Sequence, residues 1–273
     1  MKISILGCGW LGFPLAKSLE KQGHTIKGTT THAEKLNELR KAGIEPFWLQ
    51  LLPEPKGIGW DYFLDCDVLI VNIPPRLAKS EAGFHVAQIQ HLLNMLKNSP
   101  VEQLIYINST SVYPDLNREV AEEDVIIPEQ SAAPALIQVE QILKTLPQNT
   151  LILRCGGLMG YERIPAKYVA GKQGITTGDV PVNYVHRDDV IGIIDAFLNK
   201  PTLWNDTYNV VAPLHPTRRA VYLASTAPFG YEPPTFQSTE NMPFKVISSQ
   251  KLLAALDYSF IYSNPLDFKY GME

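Results

Sequence analysis

Six residues near the start of the chain, Gly7-Cys8-Gly9-Trp10-Leu11-Gly12, have the types and spacing of a phosphate-binding turn. In such a turn the first glycine permits the tight bend. The second lets the backbone approach a pyrophosphate, and the third lets the following helix pack closely on its strand. The phosphates then meet unpaired N–H groups at a helix N-terminus, where the helix dipole favours negative charge. GxGxxG alone is weak, but here the flanks fit. Lys2-Ile3-Ser4-Ile5-Leu6 reads as an apolar strand, and Leu11, Leu15, Ala16 and Leu19 follow at helical spacing. Pro14 falls in the first helical turn, where its missing N–H costs nothing. All six residues, Cys8, Trp10 and Leu11 with the glycines, are therefore candidates for holding a dinucleotide.

The choice of dinucleotide turns on the end of the next strand, His24–Thr29. An NAD site usually carries an acid there, about 20 residues beyond the glycines, to bond the ribose hydroxyls. This chain has Thr29-Thr30-Thr31-His32, and its first acid, Glu34, lies in the next helix. Three hydroxyls with Lys27, His32 and Lys35 nearby tolerate a 2′-phosphate better than a carboxylate would. The expectation is NADP, and NAD stays open because no arginine stands in the clamping position. The threonines also suit capping of a helix from Ala33 to Lys41.

The elements needed to hold these residues can be read in order. A third strand is expected near Pro46–Leu51, before a loop from Pro53 to Gly59. Val68–Ile73 is a continuous apolar run, as in a strand covered on both faces. It ends in Pro74-Pro75, which cannot extend a ladder. Ile73, Pro74 and Pro75 thus stand at the carboxyl edge, where ligands of open α/β sheets bind. The helix Phe84–Lys97 carries His85 and His91, read as packed or solvated. Leu104–Ile107 is the next strand, followed by the polar run Asn108-Ser109-Thr110-Ser111. Thr150–Arg154 and Thr207–Val211 are further strands, and a last one near Phe244–Ile247 lies among helices at Thr217–Ala227 and Ser249–Leu256.

The bulk numbers bound the class. The chain has 273 residues, 45% of them hydrophobic, with a formal charge of −4. That is enough for a large core, and the charge argues against nucleic acid as partner. Cys8, Cys66 and Cys155 lack metal-ligand spacing, so no metal is expected. The strand beginning at residue 2 leaves no room for a signal peptide, and no apolar run reaches membrane-spanning length. The expectation is a cytoplasmic protein, monomer or homodimer, with a small-molecule substrate and no membrane.

From Asn108 onward the chain resembles the extended short-chain dehydrogenases/reductases, which include nucleotide-sugar epimerases and dehydratases, and within them the YeeZ-like, NAD-dependent epimerase/dehydratase-like group. Ser109-Thr110-Ser111-Val112-Tyr113 is similar to that family's SSxSVYG stretch, which aligns Ser109 with the serine that bonds the substrate carbonyl or hydroxyl. Leu153-Arg154 to Gly160 resembles LRxxxxYG, and Gly156, Gly157 and Leu158 then fall where the family lines the nicotinamide. Arg163 falls where the family often has an arginine near substrate. Asn183-Tyr184-Val185-His186-Arg187-Asp188-Asp189 resembles NxIHvdD. It makes Asn183 and His186 substrate-rim candidates and Asp188 or Asp189 helix caps.

One family requirement is missing. Aligned on Glu140 in the helix Ser131–Leu146, the tyrosine and lysine of its catalytic YxxxK pair correspond to Ala132 and Leu136. Tyr168 and Lys172 have the spacing but lie in the wrong segment. Tyr113 is the nearby phenol to test as a stand-in acid. The fold implied is α/β, a Rossmann-type doubly wound parallel sheet. Residues 1–160 with about 182–212 would bind NAD(P); about 161–181 and 213–273 would form a small C-terminal substrate lobe. The activity implied is an oxidoreductase or epimerase on a small hydroxyl or carbonyl substrate. A non-catalytic NAD(P)-binding or redox-sensing protein is the alternative. A β-hydroxyacid-dehydrogenase-like reductase fits the glycines but not Ser109–Tyr113.

Overall fold

The computed structural model describes residues 1–75 and 83–271. Its strands are β1 Lys2–Leu6, β2 Thr25–Thr30, β3 Glu45–Trp48, β4 Val68–Val71, β5 Gln103–Ser109, β6 Arg118–Val120, β7 Asn149–Cys155, β8 Gly157–Met159, β9 Tyr184–His186, β10 Asp206–Val210 and β11 Lys245–Ile247. The α-helices are α1 Gly12–Lys21, α2 Leu36–Lys41, α3 Trp60–Leu64, α4 Phe84–Leu96, α5 Pro134–Leu143, α6 Arg187–Leu198, α7 Arg218–Ala224 and α8 Gln250–Leu256.

Seven strands form one parallel sheet in the order β10-β7-β5-β4-β1-β2-β3. This is the doubly wound Rossmann-type arrangement. The chain builds outward from β1 through β2 to β3, then returns to lay β4 on the other side of β1. Registers are fixed by pairs such as Ile3↔Ile26 and Ile5↔Ile70. The reversal beside β1 is a topological switch point, where a crevice opens at the strands' carboxyl ends. That end of β1 carries Gly7.

The sequence explains why these strands are central. All four residues of β4 are buried, as an apolar run covered on both faces demands. Helix α1 turns Gly12, Leu15, Ala16 and Leu19 inward, the spacing of one helical face. A core of Leu6, Leu69, Val71, Leu104 and Ile152 from the strands packs with Ile89, Leu92 and Leu96 of α4 and Val139 and Leu143 of α5.

Of the boundaries that differ from the sequence reading, two have clear local reasons. Strand β3 stops at Trp48, because Gln50 pairs instead with Lys56 in a small antiparallel bridge. Helix α5 begins at Pro134 rather than Ser131, whose hydroxyl accepts the Ala133 N–H at 2.9 Å in a turn. The short elements α3, β6 and β8 carry too few periodic residues to stand out in sequence.

The chain divides into two units. The first comprises Met1–Asn108, Ile126–Leu153 and Phe197–Thr207; the second comprises Ser109–Val125, Arg154–Ala196 and Tyr208–Glu273. Residues 109–125, 154–160, 182–196 and 208–212, grouped with the nucleotide-binding part in sequence, cluster with the second unit. That unit contains two small parallel sheets, β6 with β11 and β8 with β9.

The glycine turn makes a paired stability prediction. A Cβ at Gly12 would overlap the backbone oxygen of Gly7, whereas one at Gly9 meets nothing within 4 Å. Gly12→Ala should therefore cost about 1–3 kcal/mol by overpacking, and Gly9→Ala within about 0.5 kcal/mol. Urea midpoints measure both, and equal losses would contradict the assignment.

Candidate functional site

The turn after β1 is pinned from both neighbouring strands. Gly7 has φ +109°, a conformation that favours glycine. Its N–H donates to the Thr29 hydroxyl at 2.8 Å, and the Cys8 N–H donates to the Thr29 carbonyl at 2.9 Å. From the other side the Asn72 side-chain amide donates to the Gly7 carbonyl at 3.0 Å. Gly7 and Gly12 are thus closed in by protein, while Gly9 is exposed with open space above it. Asn72 was not singled out in sequence. The available signal was a lone amide interrupting the apolar run before Pro74.

Several predicted cofactor contacts have other roles here. The Thr29 hydroxyl accepts the Gly7 N–H, and the residue is buried, so it shapes the turn from within the protein. Cys8 is buried against Gly28, and burial pushes its thiol up to about 12, so it packs as an inert side chain. Leu11 is likewise buried. Thr30 is nearly buried, its hydroxyl accepting the His32 N–H at 3.1 Å. Thr31, His32 and Lys35 remain exposed, although His32 lies 3.2 Å from Glu34. Trp10, Ile73 and Pro75 are half-buried and Pro74 is exposed at the same edge.

Asn108 turns inward. Its amide donates to Glu140 of α5 at 2.5 Å, and both groups are buried. This bond ties β5 to α5. His85 is packed rather than solvated, with its Nε2 2.7 Å from the Tyr106 hydroxyl.

In the second unit, Ser109 is half-buried at the end of β5, and its Oγ accepts the Ser111 N–H at 3.1 Å. That bond uses a lone pair and leaves the O–H to donate. Tyr113 does not fit the stand-in acid. It is fully buried, donates to Asn209 Oδ1 at 2.7 Å and accepts from the Arg154 guanidinium at 2.7 Å. Burial pushes the phenol up to about 12 against the pull of Arg154. Arg154 also donates to the carbonyls of Glu122 at 3.2 Å and Val125 at 2.8 Å, and Glu122 accepts the Asn209 N–H at 2.6 Å. The network satisfies an arginine 1% exposed and braces the turn from Ser109 to Tyr113.

Gly156 is buried, and a Cβ there would meet the Asn183 carbonyl at 2.5 Å. Gly157 lies under the Tyr184 ring, and Leu158 is half-buried. Asn183 clamps β11, donating to the Lys245 carbonyl at 3.0 Å and accepting the Ile247 N–H at 2.8 Å. Arg163 is half-buried, and desolvation lowers its pKa. His186 is fully buried among Tyr161, Tyr262 and Phe268, with Nε2 3.1 Å from the Lys269 carbonyl. It organises the C-terminal segment rather than forming a substrate rim. Asp188 accepts from the Tyr161 hydroxyl at 2.9 Å, while Asp189 accepts the N–H groups of Ile261 at 2.6 Å and Tyr262 at 3.1 Å.

The comparisons give this arrangement its relatives. No family model matches the chain. Protein YeeZ of Escherichia coli strain K12 is 33% identical over 269 residues, which is 97% of each chain. The chain belongs to the YeeZ family. Among solved structures it is similar to the UDP-glucuronic acid 4-epimerase of Bacillus cereus in complex with UDP-glucuronic acid and NAD. That match has a TM-score of 0.77 at 17% identity and covers 98% of this chain and 96% of that one. A short-chain dehydrogenase/reductase superfamily protein of Agrobacterium tumefaciens with bound NAD matches with a TM-score of 0.74 at 14% identity. It covers 96% and 93% of the two chains. These likenesses show the fold. Among the described residues no group of three or more His, Cys, Asp or Glu could hold a metal ion, and no helix is long and apolar enough to cross a membrane.

Two outcomes check this picture. Tyr113→Phe leaves Asn209 and Arg154 short of a buried partner and should cost about 1–3 kcal/mol, read from the urea midpoint; an unchanged midpoint would refute the bracing role. Burial lowers the pKa of His85, His186 and His215. Unfolded histidine takes its proton near pH 6.5, whereas these folded sites resist it. Their contribution to stability is therefore full above about pH 6.5 and declines as pH falls toward the lowered values. Tm should drop between pH 7.5 and about 6 at constant ionic strength, and a flat profile would contradict it.

Proposed function

We propose that the chain is an NAD(P)-dependent oxidoreductase, or epimerase/dehydratase-like enzyme, acting on a small hydroxyl or carbonyl substrate. The observation that carries this is the sorting of the three glycines. Gly7 and Gly12 are closed by packing, and only Gly9 offers bare backbone to an approaching pyrophosphate. The NAD bound by the Bacillus cereus and Agrobacterium proteins is in line with it. The preference proposed is NADP. Thr31, His32 and Lys35 are exposed beyond β2, the end of β2 itself carries no acid, and the Glu34 carboxylate nearby lies 3.2 Å from His32.

The dinucleotide supplies a hydride donor or acceptor. The chain's own part is to bind it on the glycine turn and to hold the substrate oxygen with the Ser109 O–H. The setting proposed is the cytoplasm, as monomer or homodimer. A second reading, dinucleotide binding without turnover, gains from the enclosure of Tyr113 and from Ala132 and Leu136, which carry no proton to transfer.

Fluorescence titration separates the readings. NADPH should bind more tightly than NADH, and the reverse order would end the NADP preference. Gly9→Val should weaken dinucleotide binding at least about tenfold, in line with loss of backbone approach. With a panel of carbonyl substrates, Ser109→Ala should lower NADPH oxidation about 10²-fold. Undiminished turnover in that variant would remove Ser109 from the reaction, and binding without any turnover would establish the second reading.

A further inference from the structure

A groove of about 250 Å³ lies wholly within the second unit. Helix α7 supplies Val221 and Ala224, with Ser225 just beyond its end, at the spacing of one helical face. The remaining walls come from Pro228 and Phe229 and from the C-terminal segment between Pro265 and Tyr270. Val221, Ser225, Pro265 and Phe268 are its buried residues, while Ala224, Pro228, Phe229 and Leu266 are exposed around it.

Protein interiors ordinarily close such space by packing, and here the walls are held by other partners. Phe268 packs on His186 and Tyr262, with ring centres 5.4 and 6.1 Å apart. Tyr270 lies between two backbone bonds. Tyr161 N–H donates to the Lys269 carbonyl at 3.1 Å, and Gly271 N–H donates to the Tyr161 carbonyl at 3.1 Å. The Tyr270 ring also meets Phe229 edge-on, 6.2 Å between centres. Pro228 and Pro265 stiffen their turns, and Asn264 Oδ1 accepts the Leu266 N–H at 3.1 Å. The groove is therefore preformed.

Its chemistry is apolar. No charged side chain lines it. The Ser225 hydroxyl donates to the Val221 carbonyl at 2.8 Å and accepts the Ala166 N–H at 3.1 Å, so its proton is already spent. The Tyr270 hydroxyl is closed off from solvent, so the groove meets its ring. We propose that this groove binds a small, uncharged aromatic molecule. A cavity of about 150 Å³ with aliphatic and aromatic walls holds benzene, so the larger space here has room for a fused pair of rings. A flat guest gains edge-on contacts with Phe229 and Phe268. A charged guest would lose its hydration and find no partner. Binding here needs no dinucleotide and is independent of the reading above.

The test is calorimetric titration of the full chain, without added dinucleotide, using indole and indole-3-carboxylate. Indole should bind saturably with a negative heat-capacity change, the mark of apolar burial. It should bind at least about tenfold more tightly than the carboxylate. Ala224→Leu keeps a good helix former on α7; it should fill the groove and weaken indole at least about tenfold with the urea midpoint retained. Phe229→Ala should weaken it several-fold. Leu223→Ala, exposed on α7 but outside the groove, should leave affinity within about twofold. Absence of saturable indole binding, equal affinity for the carboxylate, or equal effects at Ala224 and Leu223 would each overturn the proposal. So would a dimer, seen by sedimentation, that Ala224→Leu dissociates, since a second copy would then own the groove.

Discussion

The turn at Gly7 depends on hydrogen bonds arriving from the strands on both sides of β1. Thr29 at the end of β2 holds its N–H side, and Asn72, just beyond β4, holds its carbonyl. Each bond contributes only about 0.5–1.5 kcal/mol net, but together they decide the direction of the backbone at the switch point. With Gly7 at φ +109°, the Cys8 N–H turns to the Thr29 carbonyl and α1 begins with Gly12 against Gly7. Helix α1, the crevice and the exposure of Gly9 all follow from that direction.

The same logic runs through the second unit, where buried polar groups are paired inside the protein. Tyr113, Arg154, Glu122 and Asn209 satisfy one another in a region almost free of water. Removing water makes each bond electrostatically stronger and each omission more costly. A phenol enclosed by such a network is poorly placed to exchange protons, which is why Tyr113 belongs to the scaffold and Ser109, with a donor to spare, does not.

The fold was legible because its signals are periodic and long. The apolar run of β4, the helical spacing in α1 and the glycines between β1 and α1 could each be read locally. In the candidate site, what sequence named was backbone geometry, the tight turn at Gly7 and the close packing of Gly12. Side chains with two plausible employers were not legible. Thr29, Asn108 and His186 stand at or near the carboxyl ends of β2, β5 and β9, Asn183 just precedes β9, and each is engaged by another part of the chain. Sequence shows that such a residue is polar and well placed, but not that an amide or carbonyl far along the chain claims it first.

The grip of Asp189 on Ile261 and Tyr262 has a consequence in time. Every segment of the first unit has been synthesised by Thr207, whereas the carboxylate of Asp189 must wait for residues more than 70 positions downstream. On the ribosome the sheet core can therefore assemble while the second unit still holds an unanswered buried acid. Domains tend to fold as units during synthesis, so the sheet core can form first, and the locking of α6 must wait until the C-terminal segment emerges.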